Sequence, residues 1–301
     1  PFSLLQVQFQ SLFVANGKPG TGLLVTLVSG LANVFLDYYF IAVCNMGVAG
    51  AAVATGIGYF IAAVFGLYYF ARHREAPLHF VKPRASMQTL MRAMTNGSSE
   101  MVSNLSTSVT TFLFNIIMMR LIGPDGVAAI SILLYLDFVL IAINLGYSIG
   151  VAPLFSYNYG SGDCRQLKKL FRISLYFCTS VGVVMTAGTV LFADWLASVF
   201  SPAGSAVHAL AATGLRIFAV SYLFKGFSIF TSALFTAFGN GTLSAILSFM
   251  RTLILLVSAI LLFSSLFGIT GVWSATPAAE TIAFLLAAFL AWKCGKVYRY
   301  L

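Results

Sequence analysis

The amino-acid sequence predicts an all-α membrane protein, a polytopic bundle of helices. Three observations predict it. Hydrophobic residues make up 59% of the 301 and charged residues only 8%, about a third of the ~25% usual in soluble domains. Mean hydropathy is +0.94, and several apolar runs reach ~20 residues, enough to cross the hydrocarbon of a bilayer as a helix. Short segments rich in Gly, Pro and basic side chains separate those runs, as expected where a chain turns at a membrane surface.

Residues 1–15 read as the end of one span. Because the chain opens on Pro1 inside a hydrophobic segment, it is expected to be a fragment of a longer protein. Asn16–Gly20 is a turn, 22–42 a helix, Cys44–Val48 a short loop, and 49–71 a returning helix. Residues 72–96 are the longest polar connection and carry Arg72, Arg74, Lys82, Arg84 and Arg92. Further spans are predicted at 98–121, 126–155, 168–193, 207–237, 243–266 and 271–292, followed by a tail with Lys293, Lys296 and Arg299. The organisation is therefore 1–71 as the end of a first lobe, 72–96 as a cytoplasmic linker, and 97–301 as a six-helix second lobe.

Orientation follows from charge. The net charge of +9 would suggest a nucleic-acid partner in a soluble chain. Here it reflects basic side chains held on the cytoplasmic side, and no nucleic acid is expected. With 72–96 inside, Lys18, Arg165, Lys168, Lys169, Arg172 and the three tail residues fall inside too. With the five of the linker, that makes thirteen of the 17 basic residues. Loops 43–48 and 194–206 have none. The expected location is a bacterial cell membrane, crossed many times.

An internal repeat is legible. Gly47-Val-Ala-Gly50 with Ala54-Thr55 matches Gly268-Ile-Thr-Gly271 with Ala275-Thr276, and Leu12-Phe13 with Gly17 matches Leu234-Phe235 with Gly239. Both copies start on the cytoplasmic side, so the repeat is parallel, about an axis along the membrane normal. Two six-helix halves are predicted, the first incomplete in this chain.

Three predicted helices carry a polar stripe. Glu100, Asn104, Thr107/Ser108, Thr111 and Asn115 follow one another by three or four residues, as do Ser221, Lys225, Ser228, Ser232 and Thr236. Asp137, Asn144 and Ser148 form a sparser row. A spanning helix cannot turn such a row to lipid, where each unmet polar group costs several kcal/mol. The rows either line a shared polar cavity or join helices as interhelical hydrogen bonds. Asp137, Lys225 and Glu280 fall near mid-membrane, where an isolated charge costs ~2.5–3.5 kcal/mol or more. Lys225 is expected to pair with Asp137 or Glu280, either as a static pair or as one that exchanges its lysine for a proton or a cationic substrate. Glu100 reads either as a first-turn carboxylate at a helix N-terminus or as an ion handler at the inner mouth. Asp37 lies four residues after Asn33, and an Asn–Asp hydrogen bond is expected. Pro277, one turn before Glu280, leaves the Trp273 carbonyl without its helical donor.

No catalytic chemistry is expected. Gly146-Tyr-Ser-Ile-Gly150 matches GxSxG, but inside a membrane helix and without a histidine partner. The Gly-rich stretch 17–22 lacks the GxxxxGK(S/T) pattern of a phosphate loop. Cys44, Cys164, Cys178 and Cys294 are dispersed, so neither a disulfide nor a metal site is predicted. Active transport would have to draw on an ion gradient.

Asn33-Val-Phe-Leu-Asp37, the run Gly47–Thr55, Ala152-Pro-Leu-Phe-Ser-Tyr-Asn-Tyr-Gly160 and Ala237-Phe-Gly-Asn-Gly241 resemble the multidrug and toxic compound extrusion (MATE) transporters. The resemblance covers nearly the whole chain. It implies two six-helix lobes and export of organic cations in exchange for Na+ or H+, with no other cofactor. Some members carry an acidic residue in the seventh helix, where this chain reads Ser106-Thr107-Ser108, and an aspartate in the tenth, where it has Lys225. The expectation is thus an ion-coupled antiporter, monomeric in the lipid bilayer, working by alternating access on small organic cations. A flippase for a lipid-linked or amphiphilic substrate is the alternative. Glu100, Asp137, Lys225, Glu280 and Asp37 are the coupling candidates. Asn104, Ser108, Thr111, Asn115, Asn144, Ser148, Ser221, Ser228 and Ser232 are the lining candidates.

Overall fold

A computed structural model describes residues 1–73, 78–82, 86–298 and 300, with the side chains of Ser99, Glu100 and Lys296 outside the description. The described residues gather into two units, Pro1–Ala85 and Ser86–Leu301. Among them, seven helices are long and apolar enough to cross a membrane, and the last doubles back on itself. The protein is a multi-pass helical membrane protein.

The first unit holds α1 (Phe2–Ala15), α2 (Pro19–Tyr38, extended by a π turn at Tyr39–Val43) and α3 (Gly47–Arg72). Pro19 sits at the first helical position, where its fixed φ suits the helix and its missing N–H is no loss. Phe9, Phe13, Tyr69 and Phe70 make a small aromatic core. Small residues let α2 approach α3 closely, and Ser29 Oγ donates to the Gly58 carbonyl at 2.6 Å.

The second unit runs α4 (Met87–Leu121), α5 (Pro124–Ser161), α6 (Cys164–Leu191), α7 (Ala193–Phe200), α8 (Ala206–Phe218) and α9 (Tyr222–Ala237), then α10 (Gly241–Phe249) and α11 (Leu256–Tyr298). A 3-10 turn, Ala219–Ser221, joins α8 to α9, and a π turn, Met250–Leu255, joins α10 to α11. Gly268 (φ 57, ψ −129) breaks α11 into two antiparallel arms. At the far end of this hairpin Asn240 Nδ2 donates to the Tyr298 hydroxyl at 2.9 Å. The main core packs Met118, Leu133, Leu215, Phe218, Tyr222 and Trp273 where α4, α5, α8, α9 and α11 meet.

The structure corrects two expectations. The helix expected from residue 98 begins at Met87. The polar look of residues 87–96 hides good helix formers, and Ser86 caps them by accepting from Thr89 N at 3.3 Å. Glu100 is consequently in the helix interior and not in a first turn; its side chain lies outside the described residues. Tyr298 and Tyr300 pack inward, and Tyr300 donates to the Ala291 carbonyl at 2.8 Å.

The repeat reappears in backbone geometry. Gly47 and Gly268 have φ of 56° and 57°, and Gly17 and Gly239 have 73° and 77°. The bonds Asn16 N to Leu12 O, Gly17 N to Val14 O and Lys18 N to Phe13 O recur as Phe238 N to Leu234 O, Gly239 N to Thr236 O and Asn240 N to Phe235 O. Six offsets of 222 in one bonding pattern show that the two corners are built alike. At these positions only glycine takes a positive φ without strain. Gly239→Ala should lower stability by about 1 kcal/mol, read as a reduced Tm in detergent. An unchanged Tm would show that the corner tolerates a side chain.

Candidate functional site: a buried charge cluster in the second unit

Four charged side chains from four segments meet inside the second unit. Both carboxylate oxygens of Asp137 on α5 accept from Lys225 Nζ on α9, at 2.7 and 2.8 Å. Lys225 Nζ also lies 3.8 Å from Glu280 on α11. Both Glu280 oxygens accept from Arg251 Nε, in the π turn, at 3.2 and 3.1 Å. Asp137, Lys225 and Glu280 are 7%, 4% and 4% exposed. Each lies ten to thirteen residues from the nearest end of its membrane arm (Pro124, Ala237, Gly241 and Gly268), or ~15–20 Å along the axis at 1.5 Å per residue. That is mid-membrane.

Local sequence explains the meeting. Gly226 follows Lys225, and a Cβ there would stand 2.7 Å from Asn144 Oδ1. Its absence lets α5 and α9 approach, which puts Asp137 in reach of the lysine. On the other flank of α9, a Cβ on Gly182 of α6 would stand 2.8 Å from the Tyr222 carbonyl. The π turn is a one-residue insertion into the helical repeat, a feature frequent at functional sites; here it carries Arg251. Pro277, one turn before Glu280, lies within α11. Phe218 lies under the lysine, with Nζ 5.6 Å from its ring centre.

Beside the cluster is a cavity of about 70 Å³, bordered by Asp137, Lys225, Arg251 and Glu280 and by the threonines 107, 110, 111, 252 and 276. A water needs ~10–15 Å³ of such space and two to four polar partners, so the cavity suits a few waters. Thr276 Oγ1 and the Tyr222 hydroxyl are buried and find no hydrogen-bond partner among the described residues, and the same holds for Asn144 Oδ1 and Ser148 Oγ on α5. Buried polar atoms left this way are usually satisfied by water.

The expected pairing of Lys225 with Asp137 or Glu280 is found with both. Of the lining candidates, Thr111 borders the cavity, and so does Thr107. Asn104 and Ser108 are exposed, and Asn115 is half-buried on the same helix. Asn144, Ser148, Ser221 and Ser228 are buried in helix contacts, with Ser221 donating to Phe218 O at 2.7 Å and Ser228 to Phe224 O at 3.4 Å. Ser232 joins Ser244 and Ser248 at 2.8 Å each, tying α9 to α10. Ser232 thus follows the interhelical reading, whereas Ser221 and Ser228 bond carbonyls of the preceding turn of their own segment.

In the first unit, Asn33 Nδ2 donates to Thr55 Oγ1 at 3.5 Å instead of bonding Asp37. Asp37 Oδ1 is buried without a partner among the described residues, so the expected Asn–Asp bond is replaced by a contact across α2 and α3. In the second unit, Arg216 pairs with Asp194 on the surface at 2.6 Å. Arg251 was missed. An arginine ten residues into an apolar run was the available signal, but its partner 29 residues away is visible only once the hairpin closes.

A family model described as MatE matches residues 101–261. The multidrug export protein MepA of Staphylococcus haemolyticus is 27% identical over 295 residues, covering 96% of this chain and 64% of the relative. That of Staphylococcus saprophyticus is 25% identical over 295 residues, covering 95% and 63%. The chain thus spans under two thirds of the curated relatives it matches. Among solved structures, a MATE in complex with MaL6 superimposes with a TM-score of 0.91 at 22% identity, covering 99% of this chain and 67% of that one. An outward-facing multidrug resistance MATE family transporter of the MOP superfamily gives 0.87 at 23%, covering 95% and 64%. At these identities the likeness is one of fold.

Proposed function

Because this chain belongs to the MatE family, we propose that the protein containing it is a secondary antiporter in a bacterial cell membrane. It exports small organic cations in exchange for Na+ or H+, by alternating access. The observation that carries the reading is the buried tetrad of Asp137, Lys225, Glu280 and Arg251. A bundle needing only to be stable would gain as much from well-packed apolar residues, since buried ion pairs are often neutral or costly against hydrophobic replacements. Charged groups held at mid-membrane mark ion or substrate pathways by default. Lys225, within reach of two carboxylates, can change partner when one of them is protonated or meets a cation. That is the bistable element an exchange cycle requires.

The flippase alternative calls for a cavity of net positive charge to hold a phosphate. Two cations balance two carboxylates here, which supports the exporter. The test is efflux of a cationic dye from vesicles containing the full-length protein, with Na+ and pH gradients imposed separately. Dye efflux driven by one of the two gradients is expected. Absence of gradient-driven efflux from correctly folded protein, together with movement of a labelled anionic lipid across the bilayer, would replace this reading by the flippase.

A further inference from the structure

The tetrad places one residue in a role that neither pairing nor family membership assigns. We propose that Arg251 sets the ion selectivity of the buried site, neutralising Glu280 so that the cluster exchanges protons and is closed to alkali cations. The proposal rests on the exchange reading above and deepens it.

A hard cation such as Na+ is held by several oxygens carrying uncompensated negative charge. Both candidate carboxylates are already engaged on both oxygens, Asp137 by Lys225 and Glu280 by Arg251. Lys225 Nζ, 2.7 Å from Asp137 and 3.8 Å from Glu280, occupies the place between them where a bridging metal ion would have to sit. A proton needs no vacant place. Delivered by a hydronium to an Asp137 oxygen, it leaves a neutral acid and a water, and Lys225 is released towards Glu280.

The threonine-bordered cavity supplies the route. Thr107 on α4 is exposed and Thr111 half-buried, so the void reaches from the polar face of α4 inward to the lysine. Thr276 Oγ1, on a residue 1% exposed and without a partner among the described residues, offers its hydroxyl to water there. The charged and titratable groups at this point are Asp137 from α5, Tyr222 and Lys225 from α9, Arg251 from the π turn and Glu280 from α11. The described part of α4 contributes hydroxyls alone. Their balance is the argument: with Arg251 present the sum is zero, and without it one carboxylate is left over.

The measurement is the Tm of purified full-length protein in detergent at fixed pH, with sodium chloride against choline chloride. It needs neither substrate nor gradient, so it can fail or succeed independently of the efflux assay. Any sodium shift of the wild type is expected to be the same in Glu280→Gln and in Arg251→Lys. Arg251→Met should gain a further sodium-dependent rise of about 2–4 °C, and Arg251→Met/Glu280→Gln should lose it. The proposal is overturned if folded Arg251→Met shows no such gain, or if the wild type has a sodium shift that Glu280→Gln removes. Should Arg251→Met not fold, the comparison of wild type with Glu280→Gln and Arg251→Lys still decides: equal shifts support the proposal, and a shift lost with Glu280 sinks it.

Discussion

Lys225→Met should abolish gradient-driven efflux and cost the fold about 3–5 kcal/mol, because it strands Asp137 as an unpaired charge 7% exposed in the bundle. Asp137→Asn should destabilise for the mirror reason, though less: Lys225 keeps Glu280 at 3.8 Å as a partner. The pair Asp137→Asn/Lys225→Met removes both charges and should recover most of the lost stability, as replaced ion pairs commonly do. Efflux should stay absent in the pair. The cycle thus separates two roles that single substitutions confuse. Tm in detergent reads the fold, and dye efflux from vesicles reads the transport. If the double variant regained efflux along with stability, the charges would be packing devices and the exchange mechanism would be wrong.

The second large effect is expected at Gly271→Ala. A Cβ there would run into the backbone carbonyl of Phe263, which cannot rotate away as a side chain can. The hairpin at Gly268 would have to open, and its two arms carry Arg251 and Glu280. A loss of about 3 kcal/mol is expected, at the upper end for overpacking, together with loss of efflux. Its counterpart Gly50→Ala meets Phe40 Cβ at 2.9 Å, an atom equally fixed to its backbone, and should cost less because the overlap is smaller. Equal Tm values for Gly271→Ala and the wild type would show that the corner is looser than the structure describes.

Much of this was legible in the residues. Periodicity and length placed the membrane arms, because a chain in lipid must satisfy its backbone within each helix, and so apolar runs of fixed length are nearly equivalent to spans. The glycines at 17, 47, 239 and 268 marked the corners, because only glycine reaches those backbone angles cheaply. Mid-membrane depth singled out Asp137, Lys225 and Glu280, since no charge sits there without a partner. The start of α4 was misplaced because polar helices and polar loops have similar composition, and the cap at Ser86 decides between them.

What the sequence alone determined is a membrane-spanning helical repeat with charges at its centre. These follow from local rules of solvation and backbone geometry, which act on each segment by itself. Which charge meets which, that Arg251 joins them, and that Ser232 ties α9 to α10 while Thr107 and Thr111 border the wet void were decided only by the tertiary structure. Those outcomes depend on how closely two helices approach and how far a π turn rotates a side chain, both of which arise from contacts between segments far apart in the chain.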